Sequence, residues 1–325
     1  MVADARSADR AGDELVLRSA DAARAAALRA GVVVRALHSS AEMAAAAELV
    51  AQVWQSADTS PLDASLLRAF SHTHNYVAGA FEASVDELGQ REDQESGALV
   101  GLSVGFRTVE PRHGLHSHIT CAAPELRDAG LGAALKQHQR SWALANGLTS
   151  ITWTFDPLVR RNAYLNIAKL GVRTVAYLPE FYGPMDDGVN AGDESDRLFV
   201  SWDLLDAPAE DHSTSPQRTR WPALEGSYVL AVGAAGEPER DEVKGDVVTC
   251  QIPDDIVAMR QGNPSQALRW RRALREALLN ALSAGYIVQD FTRSGCYVLT
   301  SSSAGGRASA PARDDFAAGE QSHPC

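Results

Sequence analysis

The alternation of apolar and polar positions divides the chain into a long patterned stretch, a polar gap and a shorter patterned stretch. The run VVVRAL (32–37) is β-branched and reads as a strand. Ser40 then caps an Ala-rich helix in which Met43, Ala46, Ala47, Val50 and Trp54 recur at helical spacing. A second helix is predicted after Pro61, over 62–72. Three strand-like runs follow at 76–83, 98–109 and 115–123, with an acidic hairpin loop at 86–96 and Pro124 closing the third. The period returns to helical over 130–146, where Leu131, Leu135, Trp142 and Ala145 form one stripe and Gly147 is the stop. A strand SITWTF, a helix over 161–170 closed by Gly171, a strand TVAYL and a strand RLFVSWDL (197–204) complete the stretch. Strands and helices in this order predict an α/β (α+β) fold: a mixed, mostly antiparallel sheet flanked by helices.

The flanks differ in character. Residues 1–30 are rich in Ala, Arg and Asp and form either a helical leader, from about Asp13 to Arg29, or a flexible one. After the first unit, 31–205, residues 206–220 are polar and Pro-containing, a linker by composition. A smaller α+β segment is expected over 221–300. Asn263-Pro264 opens its helix as N-cap and first-turn proline, and Ala267, Trp270, Leu274, Leu278 and Ala281 make the stripe. Strands YIVQDF and CYVLT form a hairpin around Arg293-Ser294-Gly295, and 301–325 reads as a disordered tail.

Composition narrows the function classes. Thirty basic against 42 acidic residues give a net charge of −12, which disfavours nucleic acid as a partner. No apolar run approaches the ~20 residues needed to span a bilayer, and the acidic N-terminus lacks the apolar core of a secretory signal. Cys121, Cys250, Cys296 and Cys325 are scattered without a C-x-x-C pair, so they read as reduced thiols of a cytoplasmic protein. His72-Thr73-His74 has no third ligand at a defined spacing, and no metal is expected.

The informative stretch is ITCAAPELRDAGLGAALKQHQ. A strand runs into Pro124, and the loop Arg127-Asp128-Ala129-Gly130-Leu131-Gly132 opens a long helix. Glycines at such a turn let a ligand approach the backbone, and the unpaired N–H groups and positive dipole end of the helix suit a phosphate or pyrophosphate. At this point the sequence resembles the GNAT superfamily of acyl-CoA-dependent N-acetyltransferases. That family's Arg/Gln-x-x-Gly-x-Gly/Ala signature is matched by Arg127, Gly130 and Gly132. The blocks LHSHITCAAPELRDAGLG, ITWTFDPLVRRNAYLNIAKLG, FYGPMDDGVN and DRLFVSW are similar to a largely uncharacterised bacterial branch, over about 32–204, in which a smaller C-terminal region also follows.

The resemblance implies acetyl-CoA as co-substrate. Backbone groups of Thr120, Cys121 and Ala122 would pair with pantetheine, and the N–H groups of Arg127, Asp128, Ala129, Gly130, Leu131, Gly132 and Ala133 would hold the pyrophosphate. Asn162 is a further cofactor contact by the same resemblance. Two departures stand out: Asp128 and Ala129 replace the family's Gly and basic or polar residue, and Ile167 occupies the place of a Tyr that in many relatives protonates the departing thiolate. Tyr164, three residues earlier and on roughly the same helical face, is the substitute acid, unless it is an aromatic packing residue.

An amine nucleophile needs a base, and His116 and His118, two apart on a strand, face one cleft. They are that base or a structural pair bonded to backbone. His138 lies on the apolar helix stripe as a structural residue, and Asp156 either lines the site or caps the next helix. Acids in the loop 181–190 attract a cationic amine or are simply solvated. Arg269, Arg271, Arg272 and Arg275 form a solvated helix face or a clamp for acyl-CoA phosphates or an acidic substrate. The expected activity is transfer of an acetyl group to a primary amine of a small molecule, by direct attack in a ternary complex, with the carbonyl polarised by a strand N–H near Ala122. Cys121, without a paired base, is not read as an acyl carrier. The alternatives are a non-catalytic acyl-CoA-binding or scaffolding module, a longer acyl donor, or a protein acceptor. A homodimer is compatible with the sequence.

Overall fold

The computed structural model describes residues 2–54, 62–83, 97–126, 129–183, 185, 192–205 and 228–301, without the side chains of 2–10. The expected acidic hairpin loop, the linker, the tail, Arg127, Asp128 and most of the loop 184–191 lie outside the described residues.

Helix α1 (Val2–Ala30) leads into strand β1 (Val32–Ala36), helices α2 (Ser40–Trp54) and α3 (Ala64–His72), and strands β2 (Tyr76–Glu82), β3 (Leu99–Arg107) and β4 (Gly114–Ala122). A single 3₁₀ turn, Pro124–Leu126, precedes α4 (Leu131–Ala145), which is followed by β5 (Ser150–Phe155) and the short α5 (Arg160–Ala163). That helix continues as a π-helical segment, Tyr164–Lys169, before β6 (Arg173–Leu178) and β7 (Arg197–Asp203). These seven strands form one sheet in the order β1-β2-β3-β4-β5-β7-β6, antiparallel except where β4 meets β5.

Local chemistry explains the elements. The cap of α2 is Ser39 rather than Ser40: Ser39 Oγ accepts from the Glu42 N–H at 3.2 Å, while Glu42 Oε2 accepts from the Ser39 N–H at 2.8 Å. This reciprocal capping box needs an acid three residues on, which Ser39 has and Ser40 lacks. Asp63 caps α3 by accepting from the Leu66 N–H at 2.8 Å. Helices α2 and α3 cover one face of the sheet through Met43, Val50 and Leu67 against Leu102, Ile119 and Cys121. On the other face α1 presents Ala26 and Ala27 to Leu131, Ala134 and Leu135 of α4.

A second sheet, less legible in the sequence, has the order β11-β12-β10-β8-β9. It comprises β8 (Tyr228–Val232), β9 (Pro238–Arg240), β10 (Val247–Gln251), β11 (Tyr286–Phe291) and β12 (Cys296–Ser301), with α6 (Ile256–Gly262) and α7 (Pro264–Ser283). Of these, β8, β9, β10 and α6 escape the hydrophobic pattern because each is only three to seven residues long. Asn263 caps α7 as expected, accepting from the Gln266 N–H at 3.2 Å. One hydrophobic cluster runs from Leu115, Trp153 and Ile167 through Leu230 and Val248 to Trp270 and Leu299, so the two sheets share a core.

Candidate active site

Strand β4 is paired with β3 from Arg107↔Leu115 to Gly101↔Ala122, but with β5 only at Gly114↔Ser150, Leu115↔Ile151 and His116↔Thr152. Beyond His116 the two strands part, and the β5-facing edge of β4 from Ser117 to Ala122 has no strand partner among the described residues. β5 meanwhile pairs along its length with β7. The result is a gap inside the sheet, edged by main-chain groups that an extended amide-bearing ligand can pair with. The gap opens towards the start of α4. There Gly130 takes φ +84°, a left-handed conformation glycine adopts without steric cost. The N–H groups of Gly130, Leu131, Gly132 and Ala133 have no acceptor among the described residues, whereas Ala134 already donates to Gly130 at 3.0 Å.

Inside β4 the pairing steps from Val104↔Ile119 to Gly105↔Ser117, leaving His118 in a bulge. The bulge switches faces, so Leu115 packs with Ala143 of α4 while Ile119 and Cys121 pack with Met43 of α2. His116 and His118 come together over one ring, with centroids 5.2 and 6.0 Å from that of Phe106. His116 Nδ1 lies 3.2 Å from Thr152 Oγ1, where β4 and β5 separate. Burial, then the neighbouring His118 and Lys136, lower the His116 pKa to about 4, and burial lowers that of His118 too. Both imidazoles are therefore neutral near pH 7, each with one unprotonated ring nitrogen.

Behind this pair is a residue that sequence reasoning passed over. Lys136 of α4 is 5% exposed; its Nζ donates to Ser117 Oγ at 2.7 Å and Gln139 Oε1 at 3.3 Å and sits 3.9 Å from the centre of the Trp153 ring. No carboxylate among the described residues pairs with it, and burial lowers its pKa to about 7. Lys136, Gln139 and Arg140 all lie on the buried face of α4, while Ala145, assigned to the apolar stripe, is exposed. The polar residues on the inner face displaced the apparent stripe. Cys121 is buried, and its thiol is pushed up to about 12, a poor nucleophile.

No family model and no curated protein matches the sequence. Solved structures do. An acetyltransferase of the GNAT family from Streptococcus pneumoniae aligns at 14% identity and TM-score 0.40, covering 52% of this chain and 97% of its own. A putative acetyltransferase from Salmonella typhimurium with its cofactor acetyl-CoA aligns at 18% and 0.41, covering 55% and 98%. Diaminobutyrate acetyltransferase from Paenibacillus lautus, in complex with L-2,4-diaminobutyric acid and coenzyme A, aligns at 19% and 0.38, covering 53% and 95%. Over about half of its length the chain is similar to GNAT acetyltransferases.

Other residues singled out within the GNAT-like half take varied places. Thr120 bonds to Ser103 at 3.0 Å, and Ala122 and Ala129 lie at the mouth of the gap and before α4. Asn162 is half-buried in α5. Ile167 is 2% exposed in the core, and Tyr164, on the same π-helical segment, packs against that core while its hydroxyl accepts from Arg293 Nε at 3.0 Å. His138 Nδ1 lies 2.9 Å from the Tyr76 hydroxyl, a structural bond.

Asp156 and the arginines of α7 depart most from expectation. The Arg271 side chain, 0% exposed, grips Asp156 through two bonds of 2.8 and 2.9 Å and reaches Asp193 at 2.9 Å. Arg260 joins both acids at 2.5 and 3.0 Å. Arg275 binds Asp196 and Glu194, each at 2.5 Å, and Arg272 binds Glu194 at 2.9 Å. The solvated face and the phosphate clamp are both set aside for Arg271 and Arg275, whose partners are acids of the first sheet's loops. Burial alone would raise the Asp156 pKa, but Arg271 and then Arg260 hold it well below the usual carboxylate range. Among the described residues no cluster of three or more His, Cys, Asp or Glu could hold a metal, and no helix is long and apolar enough to cross a membrane.

Proposed function

We propose that the chain is an acetyl-CoA-dependent N-acetyltransferase that acylates a primary amine of a small molecule by direct attack in a ternary complex. The observation that carries this reading is the β4 edge, unpaired among the described residues, ending at helix N–H groups that have no acceptor among them. The pantetheine arm contains amide groups that fit the strand edge, and pyrophosphate fits the N–H groups of Gly130, Leu131, Gly132 and Ala133. Arg127 and Asp128 extend that loop in sequence.

We place the chemistry by strand length. From Ala122 back to Ser117 an extended chain covers roughly 17 Å at ~3.3 Å per residue, about the reach of pantetheine. The thioester then sits at the closed end of the gap, beside the His118 bulge, rather than near Ala122. Main-chain N–H groups freed by the bulge polarise its carbonyl. The amine enters from the face where His116 and His118 meet Phe106, and neutral His116 accepts its proton as the C–N bond forms and the C–S bond breaks. Neutral Lys136 cannot supply the thiolate proton; its protonated fraction near pH 7 can, through Ser117.

Calorimetric titration with acetyl-CoA and with CoA tests the cofactor site, and thiol release with a panel of amines tests the reaction. Micromolar binding with thiol release is expected. Binding without turnover across the panel would instead favour a non-catalytic acyl-CoA module, a reading supported by Ile167 at the acid's place and by the engagement of Tyr164 with Arg293. No binding of either ligand would refute both.

A further inference from the structure

A cavity of about 550 Å³ lies where the α5 and π-helical segment meets the turn between β11 and β12. Its lining includes Arg160, Arg161, Tyr164, Lys169 and Arg293, with Asp254 as its acid. Four cations against one carboxylate is a local excess of positive charge in a chain whose net charge is −12.

The site is built rather than incidental. Arg160 pairs with Asp254 and donates to the Arg293 carbonyl, and a Cβ at Gly295 would come within 2.9 Å of Arg160 Nε. The turn thus seats Arg160 against itself and projects Arg293, whose Nε donates to the Tyr164 hydroxyl at 3.0 Å. Among the described residues the side chains of Arg161 and Lys169 and the terminal nitrogens of Arg293 have no hydrogen-bond or ion-pair partner, and Lys169 Nζ lies 5.8 Å from the centre of the Tyr164 ring. Folding brings these like charges together from segments more than 120 residues apart, at an electrostatic cost that a multiply charged anion reverses.

We propose that this cavity is a binding site for a phosphate monoester, shared between the GNAT-like half and the β11–β12 turn. A dianion with three acceptor oxygens matches several separate cations better than a single carboxylate does. The Tyr164 hydroxyl, accepting from Arg293, keeps its own proton to donate. The volume exceeds what inorganic phosphate fills, leaving room for the organic part of the ligand.

Two sources share this chemistry: the 3′-phosphate of CoA, which rests on the acetyltransferase reading, and a separate phosphorylated metabolite, which does not. The first is geometrically open because Leu165, on the same helical segment, lies 3.4 Å from the place a Gly132 side chain would occupy. Calorimetry on the full chain at low ionic strength compares CoA, 3′-dephospho-CoA and inorganic phosphate, in the native protein and in Arg293→Ala and Lys169→Ala. Both substituted side chains are exposed and come from different elements, so folding is preserved.

At least tenfold tighter binding of CoA than of dephospho-CoA, collapsing below twofold in both variants, assigns the site to the cofactor's 3′-phosphate. Equal binding of the two nucleotides, or none of either, combined with phosphate binding weakened about tenfold by both substitutions assigns it to a separate ligand. Discrimination or phosphate binding that survives both substitutions, or the absence of both, overturns the proposal. Failure of the acetyltransferase reading alone appears as loss of the nucleotide arm with the phosphate arm intact.

Discussion

His116 and Lys136 both give up charge to the interior, with opposite consequences. His116 keeps a lone pair for a proton at the mouth of the acceptor face, so His116→Ala should lower kcat by about 10²–10⁴-fold while leaving acetyl-CoA affinity within twofold. The native acid limb of kcat/KM should fall near pH 4 and disappear in His116→Gln, as a pH–rate profile with a weakly basic amine would register. Lys136 is buried with no carboxylate partner among the described residues, so the unfolded chain takes up its proton first as pH drops from about 10.5 to about 7. The fold bears the full penalty below that window and none above it. Lys136→Met should therefore raise stability by roughly 1–3 kcal/mol at pH 7, with the gain shrinking towards pH 10 in thermal melts. The two histidines stood out in the sequence by their i, i+2 spacing, but the His118 bulge against β3 is what the pattern could not show. Lys136 did not stand out, since no pattern distinguishes a lysine facing a gap from one facing water.

At the scale of elements, the informative features are a strand that loses its partner and a helix that recruits one. The β4 edge was anticipated only through the family resemblance; the register itself, with its His118 bulge, depends on β3 and β5 being where they are. The periodicity of α7 predicts its cap and stripe, but not the burial of Arg271. Its partners Asp156 and Asp193 lie 115 and 78 residues away, beyond any local periodicity. Arg271→Met leaves Asp193 and Asp156 sharing Arg260, and should destabilise by about 3–5 kcal/mol in chemical denaturation. A loss below 1 kcal/mol would mean the arginine is solvated after all.

For the molecule as a whole, one hydrophobic cluster and one ionic network cross from the first sheet to the second. The two halves should therefore unfold in a single calorimetric transition; two resolved transitions would contradict the shared core. Stability should also fall with acidity. Burial holds His116 and His138 to about 4 in the fold against an ordinary value of 6.5, so the unfolded chain binds protons first between those limits. The contribution is complete above pH 6.5 and lost as pH falls towards 4, which melts across that range would trace.

The order of strands and helices from β1 to β7, the α7 cap, the glycine turn before α4 and the i, i+2 spacing of the two histidines were set by local pattern: period, capping chemistry and backbone freedom act within a few residues, and the chain states them directly. Tertiary structure alone decided which strand edge stays unpaired among the described residues, that the Tyr164 hydroxyl meets Arg293, that Lys136 loses its water, and that the arginines of α7 meet acids of the first half. Those outcomes depend on register, burial and long-range charge pairing, and each requires partners that sequence proximity cannot supply.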